Sequence, residues 1–167
     1  MTEPSSDRPI VPDGYGVPET DDGLLAWDVV EARLVDSVQY WMATSRPDGR
    51  PHVVPRWGVW LDRRLYYDGS PETRHARNLA ANPACALHLE DGWQAVIVDG
   101  RSDRSDPVAG ALAERIAAEF RRKYADLGYA PEPDAWSGDH AGGLCVFTPA
   151  RALAWTSFPT DMTRFRF

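Results

Sequence analysis

The sequence predicts a mainly β fold, an antiparallel barrel with a few flanking helices. Many short segments are rich in β-branched and aromatic residues, and glycine, proline and aspartate break them at close intervals. Helical periodicity is confined to a few stretches, so the alternating strand and helix units of a parallel sheet are not evident.

Taken in order, Met1 to Asp22 holds Pro4, Pro9, Pro12, Pro18, Gly14 and Gly16 among acidic residues. Such a composition buries too little apolar surface to offset the entropy of ordering, so residues 1–22 are expected to form a flexible arm and residues 23–167 a single domain. Within Leu24 to Asp36, Trp27, Val30 and Leu34 recur at helical spacing and leave Asp28, Glu31 and Arg33 to face water. Ser37 to Ser45 reads as a strand, turned back by Pro47-Asp48-Gly49-Arg50 into a return strand from His52 to Leu61. Pro55 has no amide hydrogen and needs an edge or a bulge there, and Gly58 suggests that something approaches the backbone closely. Asp62-Arg63-Arg64 then turns the chain into Leu65 to Asp68.

Thr73 to Ala81 reads as a short helix stopped by Asn82-Pro83. Strands are expected at Ala84 to Leu89 and Gln94 to Val98, with a bend at Asp99-Gly100. Asp106 suits an N-cap and Pro107 the first helical position, and Val108, Leu112, Ile116, Phe120 and Tyr124 form one apolar stripe. A loop from Tyr129 to Gly142 leads to two last strands, Leu144 to Thr148 and Arg151 to Thr156, parted by Pro149.

The 167 residues, 43% of them hydrophobic, can bury one substantial core. With 25 acidic residues against 18 basic ones and no basic run, the composition argues against a surface for nucleic acid or an anionic membrane. Cys85 and Cys145 make no disulfide framework, and the N-terminal stretch has no signal-peptide pattern, so a cytoplasmic setting is expected. Cys85 and His88 lie three apart on a strand and point to opposite faces, while His52 and His140 sit beside turns without partners, so no metal site is expected.

Chemistry concentrates in Tyr67 to Pro83, YDGSPETRHARNLAANP, where a strand ends in a polar turn and a basic helix begins. Unpaired amides at a helix N-terminus and the forked guanidiniums of Arg74 and Arg77 suit a phosphate. The same arginines also suit a solvated helix face, and local chemistry does not choose between the two.

The runs YWMATSRPDGRPHVVPRWGVW, LYYDGSPETRHARNLAANP and AVIVDG, in that order, resemble the pyridoxamine 5′-phosphate oxidase-like family, including its deazaflavin-dependent branch. The resemblance implies a six-stranded Greek-key split barrel, homodimeric, with FMN or the deazaflavin coenzyme F420 held at the subunit boundary. It implies a phosphate clamp at Thr73, Arg74 and His75, where His75 replaces the usual lysine and is expected to favour its imidazolium form beside a phosphate. It further implies a ring lying against Arg56, Trp57, Gly58 and Val59, and Tyr67, Arg77 and Asn78 complete the candidate set; no catalytic residue is assigned. The function implied is a hydride-transferring oxidoreductase acting on a small organic molecule. The alternatives are a non-catalytic flavin- or haem-binding module and a stress protein. Arg63, Arg64 and Arg77 are candidates for the acidic tail of the deazaflavin, and the C-terminal Arg164, Phe165, Arg166 and Phe167 are expected to serve dimer packing.

Overall fold

A computed structural model describes residues 3–138 and 143–167. Among them nine strands form one antiparallel sheet, accompanied by three α-helices. The strands are β1 (Ser5–Asp7), β2 (Tyr40–Ser45), β3 (Pro51–Arg56), β4 (Val59–Leu61), β5 (Arg64–Asp68), β6 (Ala84–His88), β7 (Val96–Arg104), β8 (Leu144–Ala154) and β9 (Thr163–Arg166). The helices are α1 (Trp27–Asp36), α2 (Arg74–Ala81) and α3 (Gly110–Tyr124), followed by short 3-10 turns at Ala125–Leu127 and Pro133–Trp136.

The pairing order is β1-β9-β8-β7-β6-β2-β3, and β5 joins both β8 and β4. Because β4 follows β3 after only Trp57 and Gly58, the chain returns covalently to the far end of its own pairing path. The expected return strand His52 to Leu61 is therefore two strands. Pro55 lies on β3, which pairs with β2 alone, so its missing donor falls on an unpaired edge. Asp62 and Arg63 make the β4–β5 hairpin with φ of 50° and 58°, the doubly positive geometry that matches strand twist.

Alternation along the strands divides the apolar residues between two cores. Tyr40, Met42, Trp60, Leu65 and Tyr67 pack with Trp27, Val30 and Leu34 of α1, whereas Val59 and Tyr66 face α3 through Ile116, Phe120 and Tyr124. β4 and β5 are thus covered on both sides. Glu31 does not simply face water: its carboxylate accepts the indole N–H of Trp27 at 2.9 Å and of Trp60 at 3.1 Å.

Three further differences from the sequence-based expectation have local causes. Helix α3 starts at Gly110 rather than at Pro107, because Val108 is buried and its amide is bound by the carbonyl of Trp136. β8 is one continuous strand instead of two, since the Pro149 region is absorbed by a bulge: Asp99 pairs with Arg151 and Gly100 with Pro149. Within the expected N-terminal arm, Ser5–Asp7 pairs with β9, where Asp7 accepts from Arg164 at 2.8 Å and Arg166 at 2.7 Å. These arginines hold the Asp7 carboxyl down at about 2. On the other side of β9, Phe165 and Phe167 both meet the Trp27 ring edge to face, so the tail packs within its own chain.

No helix among the described residues is long and apolar enough to cross a membrane. The bulge makes a testable demand. A Cβ on Gly100 would stand 2.2 Å from the Thr148 carbonyl oxygen, so Gly100→Ala is expected to lower the unfolding free energy by about 3 kcal/mol in urea titration.

Candidate functional site

The end of β5 and the start of α2 bring several of the expected residues together. Arg56, at the end of β3, reaches across Gly69, donates a short hydrogen bond from Nη2 to the Asp68 carbonyl oxygen, and lies 5.7 Å over the Tyr67 ring. Glycine suits the crossing: φ at Gly69 is +154°, and a Cβ there would lie 2.7 Å from Arg56 Nη2 and push the guanidinium aside. The Arg56 Nε is buried and has no hydrogen-bond partner, and no carboxylate among the described residues pairs with this guanidinium.

Thr73 precedes α2 and donates from Oγ1 to the Ser70 carbonyl at 2.9 Å, with His75 Nε2 3.4 Å away. His75 is buried. Burial first, then the charge of Arg56, then His52, push its pKa down to about 4. The imidazole is therefore neutral near pH 7 in the protein alone, and a phosphate beside it would have to offset both burial and the Arg56 charge to favour the imidazolium. Arg74 and Arg77 are exposed, and neither side chain has a hydrogen bond or ion pair among the described residues.

Other expected residues stand elsewhere. Asn78 points toward β2, donating to Thr44 Oγ1 at 3.0 Å, while its Oδ1 is buried without a partner. Tyr67 is fully buried with its hydroxyl 2.6 Å from Ser102 Oγ, beneath α2 rather than beside Arg74. Gly58 permits a close approach, but by the protein itself. The Tyr124 hydroxyl contacts its amide at 2.9 Å and its carbonyl at 2.8 Å, and Lys123 Nζ contacts that carbonyl at 3.4 Å. Val59 is buried against α3. Trp57 stacks on Tyr124 with centroids 4.9 Å apart and planes 13° apart, leaving its other side partly exposed.

Pro55, Arg56, Trp57, Asp68 and Tyr129 enclose a recess of about 290 Å³ beside the unpartnered guanidinium. Tyr129, whose hydroxyl donates to Asp68 Oδ2, was not legible as part of this wall because it sits in a loop without periodicity. Lys123 was hidden beside an apolar stripe. It donates to Ser37 O at 2.7 Å and Tyr40 Oη at 2.9 Å, and burial pushes it down to about 8.

Among the described residues no group of three metal-ligating side chains occurs; His140 lies outside them. Cys85 is pushed up to about 12 by burial and is inert as a thiolate near neutral pH.

The sequence profile described as pyridoxamine 5′-phosphate oxidase matches residues 27–156. The chain belongs to the pyridoxamine 5′-phosphate oxidase family. The matched span includes β2 to β8, and with them Arg56, the turn after β5 and α2. Among solved structures, this family member is similar to an F420 reductase at 25% identity and a TM-score of 0.54, over 85% of this chain and 98% of that one. A conserved hypothetical protein of Mycobacterium tuberculosis matches at 19% identity and a TM-score of 0.63, over 83% of this chain and 89% of the other. HutZ, a haem storage protein of Vibrio cholerae, matches at 20% identity and 0.54, over 75% and 90%. No curated protein matches the chain in sequence.

The depressed His75 pKa sets the sign of a pH effect. An unfolded histidine takes up its proton near 6.5 and the folded one only near 4, so acidification favours the unfolded chain across that window. Wild-type protein is expected to lose stability between pH 6.5 and 4 more steeply than His75→Gln, as urea midpoints at successive pH values will show.

Proposed function

We propose that the protein is a homodimeric oxidoreductase that binds FMN or the deazaflavin coenzyme F420 and passes hydride between it and a small organic molecule in the cytoplasm. The observation that carries this reading is the Arg56 guanidinium: half-buried, without a carboxylate, its Nε buried and unpartnered. A buried donor left unsatisfied is costly, and a phosphate oxygen is the acceptor that suits a forked cation. Arg74 and the Thr73 hydroxyl stand at the start of α2, where the helix amides favour an anion.

A bound flavin or deazaflavin supplies the redox chemistry. The chain's own residues grip the phosphate at Arg56, Thr73 and Arg74, and Trp57, Pro55 and Tyr129 shield the ring from water. With Gly58 already engaged by Tyr124, contacts to the ring's polar edge fall to its neighbours Arg56 and Trp57. In this reading β2, β3 with β4, β5, β6, β7 and β8 act as the six strands of a Greek-key split barrel, and a second copy completes the cofactor site. The family membership and the likeness to an F420 reductase support it.

A second reading has its own support. His75 is neutral where the family pattern has a permanently charged lysine, which weakens the phosphate grip and favours a non-catalytic flavin-, haem-binding or stress protein on the same scaffold. The likeness to HutZ supports it.

Visible absorption spectra recorded during titration with FMN, F420 and haemin separate the two. FMN or F420 is expected to bind, and Arg56→Ala or Arg74→Ala to weaken that binding by about tenfold or more, the loss of one charge-assisted hydrogen bond. Equal affinity in both variants would remove the phosphate clamp, and uptake of haemin alone would establish the second reading.

A further inference from the structure

Beneath α2 lies another cavity, of about 370 Å³, which shares no wall residue with the recess at Trp57. Its walls are largely apolar, with Pro71, Ala76, Leu79, Ala80 and Pro83 among them. Its floor is polar: the buried hydroxyls of Tyr67 and Ser102, 2.6 Å apart. One hydrogen bond joins the two oxygens, and lone pairs remain on both for a further donor.

The rim is cationic. Arg77 and Arg104 line it, both are exposed, and neither has a hydrogen bond or ion pair among the described residues. Asp103 also lines the cavity, but its carboxylate is held by Arg101 through two hydrogen bonds of 2.8 and 2.9 Å, which leaves the two arginines dominant. His75 adds a neutral ring to the wall.

A polar floor, apolar walls and a positive rim ask for an occupant of matching polarity along its length. We propose that this cavity is a second ligand site, separate from the anion site at Arg56, for a compact apolar molecule with a carboxylate at one end and a hydroxyl at the other. The carboxylate meets Arg77 and Arg104, the body lies against Leu79 and Pro83, and the hydroxyl donates to the Tyr67 and Ser102 pair. The volume is at the small end of ligand pockets and suits a molecule of about two fused rings. This assignment rests on the reading above, in which the cofactor phosphate is held at Arg56, Thr73 and Arg74 and leaves Tyr67 and Arg77 free for the second molecule.

The probe is 6-hydroxy-2-naphthoate, titrated calorimetrically into the full chain with and without FMN. Saturable binding of one molecule per chain is expected, with 2-naphthol, which lacks the carboxylate, at least about tenfold weaker and 2-naphthoate, which lacks the hydroxyl, several-fold weaker. Arg104→Gln is expected to weaken the probe by about tenfold, and Ser102→Ala to abolish the difference between the probe and 2-naphthoate. Ala80→Trp, at the cavity edge, is expected to block the probe while leaving FMN uptake as in wild type. Should that variant not fold, the exposed Arg104→Gln still decides. Absence of saturable binding, indifference to Arg104→Gln, or displacement of the probe by FMN in equal proportion would overturn the proposal. A failure of FMN to bind leaves the naphthoate result standing, so the two readings fall separately.

Discussion

Trp57 and Gly58 carry the chain from one end of the strand path to the other, and the way they are held positions both Arg56 and helix α3. Gly58 must lack a side chain, because a Cβ there would sit 2.9 Å from the Tyr66 carbonyl oxygen. Its amide donates to the Tyr124 hydroxyl, whose one proton is within reach of both the Gly58 carbonyl at 2.8 Å and Val38 O at 2.9 Å, and Lys123 braces the Gly58 carbonyl. Helix α3 is thus fastened to the crossing by hydrogen bonds as well as by the packing of Phe120 and Ile116 on Val59 and Tyr66. With the crossing held, Arg56 just before it projects over Tyr67, and Trp57 is left stacked on Tyr124 with one side to solvent.

Electrostatics around Arg56 depends on that placement. In a chain of net charge −7, Arg56, Arg74, Arg77 and Arg104 lie near α2 without ion pairs while Asp103 is taken by Arg101. Together they favour anions on both sides of the helix N-terminal turn, and the Arg56 charge adds to burial in keeping His75 neutral. Exposed ion pairs elsewhere, such as Arg50 with Asp48, add little stability because water screens them. The helix α2 itself is tied down by Asn78 to Thr44, so its position relative to β2 rests on a buried hydrogen bond and on Leu79.

Much of the fold was readable from local pattern. The i, i+4 stripe from Ile116 to Tyr124 is the buried face of α3, and Trp27, Val30 and Leu34 are the buried face of α1, because an amphipathic helix writes its core contacts at a fixed spacing. The turn at Asp62-Arg63 and the helix stop at Asn82-Pro83 were readable for the same reason: backbone preference is a local property. The site was readable only in part. Thr73, Arg74 and His75 could be assigned to the start of α2, yet nothing local distinguishes Asn78, which turns inward to Thr44, from Arg77, which turns outward.

By itself, then, the amino-acid order determined where the chain turns, which faces of α1 and α3 are apolar, and which family the blocks around Arg56 and Arg74 belong to, since each of these is written in neighbouring residues. Only the tertiary structure decided that Pro149 lies inside a continuous strand opposite Gly100, that Glu31 binds two indoles, and that Tyr129 and Trp57 share a recess. It also decided the charge of His75. Burial and the field of Arg56 set that charge, and both come from residues brought close by pairing across the sheet, which no local spacing encodes.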